Sequence, residues 1–334
     1  MSRTFVTGGT GFLGRHLVDQ LLEGGHEVVA LVRRDPSPPL PDGVTIRRGD
    51  VTDAASVKDA AAGCDTAYHC AGLVSRDEAD AEAMYRVHVD GTKTTLDALK
   101  EAGTKRVVVA STSGTVAVSD DRDAIRDEGS EPPLGIISRW PYYRSKLFAE
   151  QAALERSGDG FEVIAVLPSL LLGPGDVHGS STDDVRKFIE RKIPFSPAGG
   201  MAFVDARDAA RAMILAMEKG TPGRRYLVNA ANMPLRVFFG RLERITGVKA
   251  PPMSMPRTPP RLAGVGAELI GKLAERLNMT SPLDRISAEM AQYYWYCDAG
   301  RAERELDWLP RDPGETLLDT VDDLRARGVV WPVG

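Results

Sequence analysis

The sequence predicts an α/β protein with a doubly wound parallel sheet and a smaller C-terminal cap. Short apolar segments alternate with segments whose apolar residues are spaced for a helix, as in Arg3–Thr7 and then Phe12–Glu23. Such alternation is typical of βαβ units and therefore of parallel strands. Strands such as Arg106–Ala110 carry consecutive valines, which suits a sheet that is covered on both faces.

The other elements of the N-terminal half follow the same alternation. Gly24 and Gly25 end the first helix, and Gly103 ends a long helix over 79–102, because glycine is common just after a helix. The remaining predicted strands are Glu27–Val32, Thr45–Arg48, 66–70 and 162–167, and the remaining predicted helices are 54–62 and 142–156.

The alternation weakens after Pro168, where the cap is expected. Segments 173–181 and 194–200 are rich in Gly, Pro and Ser, and 251–260 is rich in proline. Segment 261–277 is amphipathic with almost no net charge, which favours a lid or core-facing helix over a membrane-surface helix. A helix at 208–219 and a strand at Arg225–Val228 return to the sheet pattern. The predicted division is a sheet domain at 1–168 plus about 203–230, and a cap at 169–202 and 231–334.

Composition excludes several classes of protein. The 334 residues include 42 Lys and Arg against 47 Asp and Glu, a net charge of −5, whereas nucleic-acid binders are normally basic. Cys64, Cys70 and Cys297 form no C-x-x-C pair, so we expect neither a metal site nor a disulfide framework. No apolar run approaches the ~18 residues of a membrane span, and no secretory signal is recognisable, so we expect a cytoplasmic protein.

A glycine-rich segment, TGGTGFLG at 7–14, joins the first strand to the first helix. It contains Gly9-x-Gly11-x-x-Gly14 and also Gly8-x-x-Gly11-x-x-Gly14. Glycines allow a tight turn and let the backbone approach a pyrophosphate, which the amides and dipole at the helix start attract. In this strand–turn–helix context the segment predicts the dinucleotide site of a Rossmann fold. The alternative is a glycine turn with a purely structural role.

The residues after the second strand bear on which dinucleotide binds. NAD-binding folds place an acid there for the ribose 2′-hydroxyl, but this chain has Arg33 and Arg34. A basic pair suits a 2′-phosphate, so NADP(H) is favoured and NAD(H) is the alternative. Asp35 lies beyond the position expected for the acid and precedes a proline. The alternative interpretation of the two arginines is that they are solvated side chains. Asp50 either hydrogen-bonds the adenine amine or is a turn aspartate.

Tyr142 and Lys146 are four residues apart at the start of a predicted helix and therefore share a face. A phenol with a pKa near ~10 needs a nearby cation to act in acid–base chemistry at neutral pH. Tyr143, three residues from Lys146, is an alternative phenol. Ser111, Thr112 and Ser113 follow the Arg106–Ala110 strand, and one of these hydroxyls is expected to orient a substrate oxygen.

At these residues the chain resembles the extended short-chain dehydrogenases/reductases, and most closely the dihydroflavonol-reductase-like branch. The resemblance covers nearly the whole length. Its motifs are TGGTGFLG, GDVTD at 49–53, HCAG at 69–72, the hydroxyl cluster at 111–113, Tyr142-x-x-x-Lys146, LPSLLLGPGD at 167–176 and FVDARDAA at 203–210.

The resemblance implies roles for individual residues. Tyr142 is the proton donor, Lys146 holds the cofactor ribose and tunes Tyr142, and Thr112 polarises the carbonyl, with Ser113 as the alternative. The full expected cofactor set is Gly8, Thr10, Gly11, Phe12, Leu13, Gly14, Arg33, Arg34, Asp50, Val51, Ala71, Gly72, Tyr142, Lys146, Pro168 and Leu171.

The chain also departs from the family pattern. His88 replaces a common Asn, either as a proton relay or, more simply, as a packed helix residue. Leu167 and Leu172 replace the Arg and Tyr found in many sugar-nucleotide members, which favours an apolar wall.

These observations favour an NADPH-dependent reductase of a ketone in a small, mostly apolar metabolite that is aromatic, polyketide- or steroid-like. An NAD-retaining sugar epimerase is the alternative, and a non-enzymatic redox sensor comes third. Ser75, Trp140 and His178 are candidate substrate contacts, and packing or surface roles would explain them equally well. A homodimer that pairs the helices at 79–102 and 142–156 is possible.

Overall fold

The computed structural model describes residues 2–193, 195–253, 265 and 285–331. Its strands are β1 (Arg3–Thr7), β2 (Glu27–Val32), β3 (Thr45–Arg48), β4 (Thr66–His69), β5 (Arg106–Ala110), β6 (Glu162–Pro168), β7 (Leu170–Leu172), β8 (Gly200–Asp205), β9 (Arg225–Val228) and β10 (Ala231–Pro234). Its helices are α1 (Phe12–Glu23), α2 (Ala54–Ala61), α3 (Ala81–Tyr85), α4 (Gly91–Glu101), α5 (Leu134–Ile137), α6 (Pro141–Leu154), α7 (Asp183–Ile189), α8 (Ala206–Lys219), α9 (Leu235–Thr246), α10 (Arg285–Met290), α11 (Gly300–Leu306) and α12 (Pro313–Ala326).

The main sheet has the order β3-β2-β1-β4-β5-β6-β9, and all its neighbouring strands pair in parallel. The strand order reverses between β1 and β4. In sheets of this kind, ligands bind in the crevice at the carboxyl ends of the strands beside such a reversal. The predicted Rossmann fold is therefore confirmed, and its crevice lies above the ends of β1 and β4.

Both faces of this sheet are covered by helices. On one face, Val6 and Val108 pack with Leu17 of α1 and Met213 of α8. On the other face, the cluster that contains Val29 and Val107 includes the following residues of α2, α4 and α6: Val57, Ala60, Ala61, Leu96, Ala98, Leu99 and Ala153. Strands that are buried on both faces need apolar residues at consecutive positions, which explains the valine runs.

A second, three-stranded sheet lies after β6, in the order β10-β8-β7. β8 pairs antiparallel with β10 and parallel with β7, and its cluster includes Phe203, Phe238 of α9 and Leu317 of α12. The sequence did not predict these short strands, because Gly and Pro interrupt the segments around them. The division into a sheet domain and a cap at the predicted boundaries stays a prediction.

The segment predicted as a long helix over 79–102 is continuously helical from 78 to 101, but it is not α-helical throughout. A 3₁₀ turn at Glu78–Asp80 leads into α3, and a π-helical segment at Arg86–Asp90 separates α3 from α4. Within the π-helical segment, His88 turns inward and hydrogen-bonds to two other parts of the chain. Such π-bulges are rare and are found frequently at functional sites.

Other predicted helix ends differ by one or two residues. Pro141 occupies the first turn of α6, and Asp205 caps α8 by accepting a hydrogen bond from the Arg207 amide. The amphipathic segment 261–277 lies outside the described residues except for Val265. Within the described ranges, no helix combines the length and hydrophobicity that crossing a bilayer requires.

Candidate active site

A cavity of about 580 Å³ opens beyond the carboxyl ends of β1, β4, β5 and β6. The structure brings most of the predicted site residues into its lining: Gly8, Gly11, Phe12, Leu13, Gly14, Gly72, Ser75, Thr112, Ser113, Trp140, Tyr142, Lys146, Pro168, Leu171 and His178. It leaves six predicted residues outside the lining: Thr10, Arg33, Arg34, Asp50, Val51 and Ala71. We call the part formed by residues 8–14 and 70–72 the glycine-loop side.

The glycine-loop side has room only for backbone at two positions. Gly8 has φ +72°, and a Cβ added there would lie 2.4 Å from the Cys70 carbonyl carbon. A Cβ on Gly14 would lie 2.1 Å from the Gly8 carbonyl oxygen. Gly11 is the N-cap of α1 and supplies no side-chain cap, so the first amides of α1 remain available. A pyrophosphate group fits this arrangement of free amides and close backbone.

Arg33 and Arg34 directly follow β2 and are exposed. Neither makes a hydrogen bond or an ion pair with the described residues, so both guanidinium groups remain available. Asp35, by contrast, is paired with Arg48 of β3. The cationic pair is therefore free while the nearby acid is engaged.

Asp50 has a local role in its turn. Its carboxylate accepts hydrogen bonds from the Thr52 amide at 2.9 Å and the Thr52 hydroxyl at 2.8 Å. Burial raises the pKa of Asp50, but these two hydrogen bonds and the charges of Arg33 and Arg86 together hold it below its usual range. The turn-aspartate interpretation thus has direct contacts, and binding of adenine by Asp50 stays a prediction.

Tyr142 and Lys146 both lie on the cavity side of α6. The Lys146 ammonium donates to the Ala110 carbonyl at 2.6 Å, which leaves its other N–H groups available. Burial lowers the pKa of Lys146 to about 8, although Glu150 and Cys70 oppose that effect. Burial raises the pKa of Tyr142 to about 12, and its hydroxyl has no hydrogen-bond partner among the described residues. The phenol is therefore a protonated, unengaged donor at neutral pH.

His88 connects the glycine-loop side to α6. The Leu73 amide donates to His88 Nε2 at 3.0 Å, so Nε2 is the acceptor and Nδ1 carries the hydrogen. Nδ1 then donates to Ser145 Oγ at 2.8 Å, which in turn donates to the Tyr142 carbonyl at 2.9 Å. Burial, with the Lys146 charge, lowers the pKa of His88 to about 3. These contacts describe a neutral, packed histidine that fixes Tyr142 and agree with the packing interpretation.

The three hydroxyls after β5 have different surroundings. Ser111 Oγ donates to Glu150 Oε2 at 2.5 Å, and Thr112 Oγ1 accepts from the Gly114 amide at 3.3 Å. The buried Ser113 hydroxyl makes no hydrogen bond to a described residue. Thr112 and Ser113 both line the cavity, so the alternatives for the hydroxyl that orients a substrate oxygen remain these two.

Three aromatic residues of the cavity lining form what we call the aromatic side: Trp140, Tyr143 and Trp295. The Trp140 and Trp295 rings stack with centroids 5.7 Å apart, and the Tyr143 and Trp295 centroids are 5.0 Å apart. Trp140 is almost fully buried, and its Nε1 has no hydrogen-bond partner in the described structure. Trp295 was not predicted, because no motif surrounds it.

The other two predicted substrate contacts, Ser75 and His178, also line the cavity. The Ser75 hydroxyl donates to Asp80 at 2.6 Å, and His178 is exposed. Leu167 and Leu172 are fully buried in separate hydrophobic clusters and do not line the cavity, so the prediction that they form its wall is wrong. Further apolar lining that the sequence did not reveal comes from Ile193, Met201, Leu235, Phe238, Phe239 and Met290.

Comparison with known proteins agrees with this site. Residues 4–229 match the NAD dependent epimerase/dehydratase family. The chain is 30% identical over 329 residues to the 4-hydroxy-2-methyl-3-oxo-4-farnesyl-3,4-dihydroquinoline-1-oxide ketoreductase of Stigmatella aurantiaca, covering 96% of this chain and 95% of that one. It is 33% identical over 188 residues to the dihydroflavonol 4-reductase of Hordeum vulgare, covering 51% and 53%.

The fold comparison gives the same result. The crystal structure of gox2253 superposes with a TM-score of 0.84 at 25% identity, over 99% of this chain and 100% of that one. The predicted resemblance to dihydroflavonol-reductase-like proteins is confirmed, and the protein is an NAD(P)-dependent oxidoreductase that acts on ketone and alcohol groups. With a matching family model, full-length relatives and a glycine-loop cavity, the chain belongs to the NAD-dependent epimerase/dehydratase family.

Proposed function

We propose that this protein is an NADPH-dependent reductase of a ketone in a small, mostly apolar metabolite. One observation carries the proposal. A single cavity contains the glycine loop, the Tyr142–Lys146 pair and two candidate hydroxyls, and the rest of its lining is largely aromatic and aliphatic. A carbonyl compound held there has a proton donor and a hydrogen-bond donor beside it.

Tyr142 is the proton donor in this proposal. Its raised pKa keeps the phenol protonated at neutral pH, which suits reduction of a carbonyl. When its proton passes to the substrate oxygen, the Lys146 ammonium stabilises the phenolate that remains. The phenolate then takes a proton from water, which restores the resting state.

A hydroxyl at Thr112 or Ser113 donates to the same carbonyl oxygen and orients it toward Tyr142. NADPH, when bound, supplies the hydride that is added to the carbonyl carbon. The free amides of α1 would hold its pyrophosphate, and an N–H of Lys146 would bond its ribose. His88 and Ser145 keep Tyr142 in place during the proton transfer.

The substrate is proposed to be apolar because of what surrounds the reacting groups. Trp295 and Tyr143 offer ring faces, and Leu170 and Leu171 continue the wall toward the apolar residues of the second sheet. Aromatic and aliphatic linings with few polar groups are typical of sites for small apolar ligands. The Stigmatella relative is named as a ketoreductase of a farnesylated quinoline, a substrate of this general kind.

Preference for NADPH is proposed from Arg33 and Arg34, which are exposed and unpaired among the described residues. The test is to denature the purified protein, identify any nucleotide that is released, and titrate the nucleotide-free protein with NADPH and NADH by fluorescence. Exchangeable binding with a clear preference for NADPH would support the reductase. Binding of neither nucleotide would overturn the proposal.

Arg33→Ala should weaken NADPH binding by about 10- to 100-fold, because a hydrogen bond to a charged group contributes about 1.5–3 kcal/mol. NADH, which lacks the 2′-phosphate, should bind as before. Arg244→Ala, which removes an exposed arginine from α9, is the matched control. An equal loss of affinity for both nucleotides would show that Arg33 has a structural role only.

The second candidate is an NAD-retaining sugar epimerase, which the family match favours, since the family takes its name from such enzymes. Release of tightly held NAD from the denatured protein would support it over the reductase. A turnover assay also separates the two functions. It uses a panel of ketones that contains a dihydroflavonol, a prenylated quinolone and an aryl alkyl ketone. Loss of NADPH absorbance with any of them supports the reductase. A homodimer and a cytoplasmic location stay predictions.

A further inference from the structure

Glu150 is a buried carboxylate one helical turn beyond Lys146 on α6, and only 3% of it is exposed. Its Oε2 accepts hydrogen bonds from Ser111 Oγ at 2.5 Å and from Thr115 Oγ1 at 3.0 Å. Its Oε1 pairs with Arg225 Nη1 of β9 at 3.1 Å. One carboxylate thus joins α6, the turn after β5 and an outer strand of the sheet.

The two hydroxyls that bind Glu150 flank the two candidate substrate hydroxyls in sequence. Ser111 and Thr115 stand on either side of Thr112 and Ser113, and both donate to the same carboxylate oxygen. Thr115 Oγ1 also lies 3.0 Å from the Thr112 carbonyl, so its one proton is shared between this carbonyl and Glu150. The position of the candidate substrate hydroxyls therefore depends on Glu150.

The charge of Glu150 also favours the ammonium form of Lys146 and so opposes the effect of burial on the pKa of that residue. Residues four apart on a helix have Cβ atoms about 6 Å apart. The other titratable groups around Lys146 are neutral at neutral pH: burial raises the pKa of the Cys70 thiol to about 12, and burial lowers the pKa values of His69 and His88 to about 3. Tyr142 is protonated, so Glu150 is the negative charge among these described neighbours.

We propose that Glu150 is a positioning residue that keeps Lys146 protonated and holds the 111–115 turn against α6. The proposal rests on the proposed function, in which Lys146 must be a cation to stabilise the Tyr142 phenolate. A buried carboxylate is retained only when it is paired and hydrogen-bonded, and this one has three partners. Two of those partners, Ser111 and Thr115, belong to the turn, and the negative charge of Glu150 acts on Lys146.

The test measures the protonation of Lys146 in the cofactor-free protein. The rate of labelling by fluorodinitrobenzene is followed against pH, and the Lys146 peptide is quantified by mass spectrometry, with the exposed Lys93 as internal reference. Glu150→Gln keeps the shape of the side chain and removes its charge. The labelling midpoint of Lys146 should fall by about 1 pH unit or more, because an opposite charge nearby favours the ammonium.

Arg225→Gln supplies a test with the opposite sign. Removing the cation that partly neutralises Glu150 should raise the labelling midpoint of Lys146. This rise should be smaller than the fall expected for Glu150→Gln, because the contact of Arg225 is with Glu150 and not with Lys146. This variant also keeps the inference testable if Glu150→Gln fails to fold. A carboxylate with a merely structural role would lower stability in both variants and leave both midpoints unchanged, which would overturn the inference.

The two proposals can fail separately. Lys146 labelling needs neither NADPH nor a ketone, so it reports on Glu150 whatever reaction the protein catalyses. If the protein reduces no ketone while the midpoints move as expected, the proposed function fails and the electrostatic link between Glu150 and Lys146 stands. If ketone reduction depends on Tyr142 while the midpoints stay fixed, the function stands and the role of Glu150 is rejected.

Discussion

The two sides of the cavity are built by different means. The glycine-loop side is formed by backbone that approaches so closely that a Cβ at Gly8 or Gly14 would overlap a neighbouring peptide. The aromatic side is formed by large side chains, and its Trp140 and Trp295 come from positions far apart in the chain. Backbone sites tolerate little change in sequence, whereas a wall of side chains changes shape with each substitution. Such a design keeps one cofactor site and allows many substrates.

The two sides meet at consecutive tyrosines of α6. Tyr142 packs against His88 with ring centroids 5.6 Å apart, and Tyr143 packs against Trp295 at 5.0 Å. The two tyrosine rings also lie edge to face with centroids 5.0 Å apart, so they differ in their other neighbours. These different neighbours support the proposal that Tyr142 is the proton donor and that Tyr143 contacts the substrate, a choice that spacing from Lys146 left open.

The largest expected effect tests this assignment. Tyr142→Phe should lower kcat for ketone reduction by about 10²- to 10⁴-fold, which is the usual contribution of a general acid. The NADPH dissociation constant should change little, since the ring remains. Tyr143→Phe, the matched control, should retain most of kcat. Full turnover by Tyr142→Phe with loss of activity in Tyr143→Phe would reverse the roles of the two tyrosines.

The next effect concerns the histidine that ties the glycine-loop side to α6. The pKa of His88 is about 3 in the folded protein, against 6.5 ordinarily, so between these values the unfolded chain binds more protons. The folded state therefore has its full stability above pH 6.5. Its free energy of unfolding decreases as the pH falls from 6.5 toward 3. The slope reaches about 1.4 kcal/mol per pH unit for each such histidine.

His69 shares this behaviour because it is buried against Thr7 and Thr92. Chemical denaturation of the wild type and His88→Asn, from about pH 7 down to about pH 5, measures the slope above the range where most carboxylates titrate. The variant should show a shallower fall in the free energy of unfolding, whatever its absolute stability. Identical slopes would mean that folding does not lower the pKa of His88, and the neutral, packed role assigned to this histidine would be rejected.

The contrast between the two sides of the cavity also explains which site residues the sequence revealed. The glycine loop, Tyr142 and Lys146 were predicted because each depends on local spacing: a turn that needs glycine, or two residues on one helical face. His88 was noticed, but its partners Leu73 and Ser145 come together only in the fold, through a π-helical segment that helix periodicity does not show. The predicted role of Leu167 and Leu172 was wrong because both are fully buried in hydrophobic clusters, whereas the four residues between them line the cavity.

Trp295 was missed for a related reason. It follows α10 and reaches Trp140 and Tyr143 across about 150 positions, and no pattern within its own segment marks it as a cavity residue. Sequence spacing is informative where a site is made within one turn or helix. Contacts between distant segments depend on how the second sheet and the helices around it pack, which the interrupted C-terminal pattern did not reveal.

The smallest expected effect tests the aromatic side itself. Trp295→Leu should raise KM about five- to tenfold for the apolar ketone that the panel identifies, because an aromatic pair contributes about 0.5–1.5 kcal/mol beyond its buried area. Both kcat and the NADPH dissociation constant should stay nearly constant, since Trp295 touches neither Tyr142 nor the glycine loop in the described contacts. Trp331→Leu, at a tryptophan that is 80% exposed, controls for the loss of an indole elsewhere. If Trp295→Leu lowered NADPH affinity as much as it raised KM, the two sides would not be independent, and the division of the cavity into a backbone-built and a side-chain-built half would have to be abandoned.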